Sequence, residues 1–229
     1  MTGSENINEY GKARTAVWLV LVVWLLLALI LGANGVFARE PGAPPLPIFA
    51  GAIIPILVFL AALWSGGSFR DFVMSLDLEL AAGIQAWRFA GLGFIALYAY
   101  GVLPGLFAWP AGLGDMAIGI TAPWVVFALR RRPEFVRSRI FLIWNLLGIL
   151  DLITAVSLGA ISSVLGLGIA GEITTFPMAQ MPLVLIPVFL VPLFVMLHVT
   201  SLMQARRLTA AVRSCGWTDS PIQCGRVHT

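Results

Sequence analysis

Charge is what this chain has least of. Asp, Glu, Lys and Arg make up 11% of its 229 residues, and 59% of the residues are hydrophobic. Soluble domains carry roughly 25% charged residues and about 45–50% apolar ones. A water-soluble fold with so few charges has no means of covering its surface, so a soluble globular class is excluded and the apolar excess faces lipid. The net charge of +3 then reflects arginines in loops on one side of a membrane rather than a nucleic-acid partner.

Cysteine is nearly absent as well. Cys215 and Cys224 both follow the last apolar run, which excludes the disulfide framework of a small secreted domain and predicts free thiols in a cytosolic tail. H-E-x-x-H, G-x-S-x-G and P-loop motifs are all missing. No metal-ligand set is present. His228 lies at the extreme C-terminus, so His198 has no second histidine with which to hold a haem inside the membrane. No nucleophile–base pair has usable spacing. These absences weigh against an enzyme and leave any cofactor unknown.

What the chain does have is apolar length. Six runs come close to the roughly 20 residues that a bilayer core requires. They fall at Ala16–Ala33, Pro47–Ser65, Ala82–Phe107, Gly112–Leu129, Arg139–Leu158 and Pro182–Met203. Inside hydrocarbon such runs must be helices, because an open strand leaves backbone groups unsatisfied. The expectation is an all-α integral membrane bundle of about six transmembrane helices. It comprises a tail over 1–15, a membrane domain over 16–203 and a second tail over 204–229. Val36-Phe37-Ala38 has the form of a signal-peptidase site. The preceding run exceeds the roughly 7–15 residues of a signal h-region, and it is read as a retained span.

Orientation follows from the arginines. With the N-terminus inside, 12 of the 14 basic residues fall on the cytoplasmic side, and both termini are predicted to be there. Arg39 alone is external, and Arg88 lies within the third run. Trp64, Trp87, Trp109 and Trp144 are placed near span ends, as interfacial anchors are. Gly66–Ala81 reads as an interfacial stretch, with Phe69, Phe72 and Leu76 at helical spacing.

An ionisable group in mid-span costs about 2.5–3.5 kcal/mol on insertion scales, which makes each one a default functional candidate. The candidates are Arg88 with Gln85, Asp115, Asn145, Asp151 and His198. Asp151 is expected about 17 Å in from the cytoplasmic end of its span. Asp115 is expected near the outer end of the fourth span, as a first-turn residue and too shallow for Arg88. Arg88, Asn145 and His198 are assigned to the cytoplasmic half. Helical phase puts Trp144, Gly148, Asp151 and Ala155 on one face, and Asp115, Gly119 and Ala122 on another, with small residues allowing close approach. Gly101-x-x-x-Gly105 with Pro104 reads as part of the third span, and Pro187 and Pro192 predict a bend above His198. The bland readings stand beside these. Arg88 snorkels to headgroups, Asp151 makes a purely structural pair, and His198 is a hydrogen-bonded packing residue.

The stretches QAWRFAGLGFIALYAYGVLP, PAGLGDMAIGITAP, IWNLLGILDLITAVSLG and PLVLIPVFLVPLFVMLH resemble those of small multi-pass bacterial inner-membrane proteins of uncharacterised function. The resemblance implies a bacterial inner-membrane location, and it carries no activity or site residue. The residues themselves point first to a small-solute or ion permease-like protein built on Asp151, Asp115 and Arg88, as a monomer or a homo-oligomer in the lipid bilayer. The second reading is a non-transporting structural or regulatory membrane protein. The third is a redox or lipid-enzyme subunit using His198, Tyr98 and Tyr100.

Overall fold

The computed structural model describes residues 3–39, 43–165 and 173–215, and among them every regular element is helical. In chain order these are α1 (Gly3–Ala33), α2 (Leu46–Ser65), α3 (Ser68–Met74), α4 (Leu78–Ile84), α5 (Leu92–Ala99), α6 (Gly105–Arg131), α7 (Arg139–Leu165) and α8 (Val191–Cys215). A 3₁₀ segment, Gln85–Gly91, joins α4 to α5, and a turn of π-helix, Ile186–Leu190, leads into α8. Six helices are long and apolar enough to cross a bilayer: Arg14–Ala33, Leu46–Ser65, Leu78–Ala99, Gly105–Arg131, Arg139–Val164 and Ile186–Ala210.

Burial separates the centre of the bundle from its flank. Over their most apolar 18 residues the first and second spans are 11% buried, against 50% for the sixth. Helix α1 leans on α3 and the π-turn, and α2 packs on α3 and the π-turn–α8 end. Their outer faces present Trp18, Leu19, Val23, Ile54 and Val58, a surface that fits lipid and not water. The centre is α6, which packs on the whole third span and on α7, with α8 closing the other side against α7 and α4.

Both ends of the third span differ from the sequence expectation, for local reasons. Asp77 caps α4, its side chain accepting from the Glu79 backbone N–H at 2.7 Å. The third span therefore starts at Leu78, inside the stretch expected to lie along the interface. It ends at Ala99 rather than Phe107, because Gly101 adopts φ 68° and Pro104 opens α6. Left-handed backbone at residue 101 suits glycine. The Gly101-x-x-x-Gly105 motif is thus the turn between spans three and four and not a packing stripe.

These shifts move the tryptophans. Trp87 falls at mid-height of the third span and is exposed. Trp144 points inward, its Nε1–H donating to Thr121 Oγ1 at 2.9 Å. Trp64 and Trp109 remain at helix ends as expected. At the other end of the chain α8 continues beyond Met203 to Cys215. Cys224 and residues 166–172 lie outside the described residues.

Candidate functional site

The five sequence candidates converge on one network. Arg88 comes from the 3₁₀ segment, Asp115 from α6, Asn145 and Asp151 from α7, and His198 from α8. Arg88 has no exposed side-chain surface, so it does not snorkel. Its Nε–H donates to Asp115 Oδ1 at 2.7 Å, and an Nη2–H donates to Asp151 Oδ2. Nη1 donates to the Gly148 carbonyl at 3.2 Å and faces His198 Nε2 at 3.2 Å. Four of the five guanidinium N–H groups are thereby engaged.

His198 passes the network on to Asn145. A guanidinium nitrogen has no lone pair to offer, so His198 Nε2 must accept and Nδ1 must carry the hydrogen. Nδ1–H then donates to Asn145 Oδ1 at 2.9 Å, while Asn145 Nδ2 donates to the Phe141 carbonyl at 2.9 Å. The imidazole is therefore neutral with its tautomer fixed. The Trp144 ring stands edge-on to it at 5.4 Å.

The expectation that Asp115 is too shallow for Arg88 is overturned by the helix start. α6 begins at Gly105, seven residues before the predicted position, so Asp115 is ten residues in, about 15 Å from the helix end. A bilayer core is about 30 Å thick. Asp115 is accordingly a mid-span residue and no helix-start carboxylate. Arg88 and His198 also sit near the middle of their spans, so the expected inner and outer polar layers are a single layer.

Glycines make the layer possible. A Cβ on Gly114 would collide with the Asp151 carboxylate, one on Gly148 with the His198 ring, and one on Gly119 with the Arg88–Phe89 backbone. A Cβ on Gly91 would come within 2.5 Å of Asp115 Cβ. Gly119 and Gly148 stand out in the sequence as small residues in phase with the acids. Gly91 and Gly114 do not, because their roles depend on which helix face meets which neighbour.

Apolar packing closes the layer on both sides. Ala82, Ile118, Ala122, Trp144 and Ala205 belong to one buried cluster, and Phe94, Phe107, Ala108 and Ala111 to another. Along each central span the charged residue falls between members of the two clusters. Sequence reading missed a set of buried polar residues on α8: Thr200, Ser201 and Gln204. Gln204 donates to the Val73 and Leu76 carbonyls, both at 3.0 Å, and so ties α8 to the α3–α4 turn. Ending the sixth span at Met203 left Gln204 outside it, while Thr200 and Ser201 carry no ionisable group to mark them. Tyr98 packs on Trp109, and Tyr100 is exposed on the turn after α5, which leaves the tyrosines outside the network.

Such a molecule is a helical bundle of six bilayer-length apolar helices organised around one buried ionic layer. Residues 43–206 match the domain of unknown function DUF8737, and the chain belongs to that family. The match holds the second to fifth spans, most of the sixth and every member of the network. No curated protein and no solved structure matches the chain.

Proposed function

We propose that the protein is a small-solute or ion permease-like membrane protein of the bacterial inner membrane, with both termini cytoplasmic. One observation carries the reading: Arg88, without exposed side-chain surface, is held between Asp115 and Asp151 at mid-span. Charges at that depth are costly and face a bundle interior or a solute path. The carboxylates each retain 14% side-chain exposure, so the layer is not wholly sealed. Apolar clusters on either side act as two closures, and passage requires each to part in turn. Orientation rests on the 12 of 14 basic residues that fall on one side.

Purified protein in proteoliposomes, screened for flux of protons, alkali cations and small organic ions, tests the reading. Flux of at least one solute that Asp151→Asn abolishes without loss of folded protein is the expected result. Absence of flux across the panel for folded wild type overturns it. The four close-fitting glycines favour a second reading, in which the network fixes helix register and nothing moves. Under that reading Asp151→Asn is tolerated and Asp151→Leu lowers the folded yield.

A further inference from the structure

The charges in the layer do not balance. Arg88 contributes one positive charge, while Asp115 and Asp151 contribute two negative charges if both are ionised. The other spans add nothing to the sum. From α8 the facing titratable group is His198, which its bonds hold neutral, and Asn145 of α7 is uncharged. α5 offers only Tyr98, which packs on Trp109. A surplus buried charge is expensive unless it is paired or neutralised.

Arg88 uses one oxygen of each carboxylate, Oδ1 of Asp115 and Oδ2 of Asp151. The second oxygen of each has no donor among the described residues. Close by is an unanswered acceptor. Gln85 stands one 3₁₀ turn before Arg88, so the two side chains project from the same side of the segment. Gln85 is 1% exposed and its Nε2 donates to the Phe194 carbonyl at 3.4 Å, but its Oε1 has no partner among the described residues. The Phe194 ring also lies 6.0 Å from the Arg88 guanidinium carbon. Buried acceptors of this kind are ordinarily met by water or an ion. Ser201 and Gln204, buried on the following turns of α8, extend the polar surface toward the α3–α4 turn.

Resting on the reading of this layer as the ion site of a permease-like protein, we infer that the ion is a proton: the Asp115–Asp151 pair binds one exchangeable proton, with Arg88 as its fixed counter-charge. The proton forms an O–H bond on a carboxylate oxygen that Arg88 does not use and returns to water as it leaves. His198 takes no part as an acceptor, because both ring nitrogens are already committed. It is a positioning residue for Arg88. Binding of the proton makes the layer neutral, and its release restores the single negative charge.

Infrared difference spectroscopy between acid and neutral pH, on wild-type protein in detergent, tests the inference without any substrate. A carboxylic-acid C=O band that shifts in D₂O is expected in addition to those of the other nine of the 11 Asp and Glu side chains, with uptake of one proton per chain more than in a variant lacking the pair by parallel titration. The band and the uptake should both vanish in Asp151→Asn and in Asp115→Asn, and both should persist in the exposed-loop control Glu134→Gln. If one Asn variant does not fold, the other decides. No additional carboxyl band in folded wild type overturns the inference, as does a band that survives in both Asn variants. A band without any solute flux leaves the proton site standing and removes the permease reading. Cation-driven flux without a band does the reverse.

Discussion

Gly148 of α7 packs directly against the imidazole of His198, so that a Cβ at residue 148 would collide with Nε2 and Cε1 of the ring. The same glycine offers its carbonyl to Arg88 at 3.2 Å. Side-chain absence and backbone exposure at one residue thus serve two members of the network.

Gly148→Ala is expected to destabilise the protein by about 1–3 kcal/mol, the usual cost of overpacking a well-filled core. The gain in helix propensity, up to about 1 kcal/mol, offsets only part of it. Gly93→Ala is the matched control, since nothing lies within 4 Å of a Cβ there, and it should be neutral or slightly stabilising. Thermal unfolding in detergent measures both. Equal melting temperatures for the two variants would show that the His198 side of the site is slack.

The bundle was legible in the sequence because apolar length near 20 residues is a strong local signal and hydrocarbon permits only helices there. The phase of Trp144, Gly148, Asp151 and Ala155 also placed the inward face of α7 correctly, since Trp144 meets His198 and Asp151 meets Arg88. The pairing of Arg88 with Asp115 was not legible. It depends on where α6 starts, and Pro104 reads equally well as a kink within a helix and as the residue before one. The 3₁₀ segment that aims Arg88 and Gln85 together has no sequence signature. Gly91 and Gly114 are ordinary helix glycines until the neighbouring helices are in place.

Asn145 sets the tautomer of His198, and its loss should be felt there first. Asn145→Ala leaves His198 Nδ1–H buried without an acceptor, which costs about 1–3 kcal/mol. Nitrogen-15 NMR of histidine-labelled protein is expected to show a neutral, Nδ1-protonated ring in wild type. In Asn145→Ala the same resonances should show mixed tautomers or altered shifts. A charged ring, or an Nε2-protonated one, in wild type would contradict the hydrogen-bond assignment.

Topology has a direct readout. Reporter fusions at Arg132 and at Thr229 are expected to report cytoplasm, and one at Thr174 the external side. The basis is the clustering of Arg130, Arg131, Arg132, Arg137 and Arg139 around one connection. An external signal at Thr229 would remove the arrangement with both termini inside.

The charge count of the layer makes the order of stabilities among variants predictable. Removing Arg88 leaves two carboxylates buried with no cation, so Arg88→Gln should be the most damaging single change, by about 3–5 kcal/mol. Asp151→Asn leaves Arg88 paired with Asp115 at 2.7 Å, a neutral set, and should cost no more than about 1–3 kcal/mol. Asp151→Leu removes the hydrogen bonding as well as the charge and should fall further in yield. Adding Asp151→Asn to Arg88→Gln is expected to recover part of the loss, because one carboxylate is then left to be neutralised instead of two. A simple Arg88–Asp151 pair predicts otherwise: removing either partner would strand the other, and the two single variants would suffer alike. Unfolding midpoints for the two single variants and the double variant, measured side by side, distinguish the schemes. Equal losses in Arg88→Gln and Asp151→Asn would mean that Asp115 does not share the guanidinium.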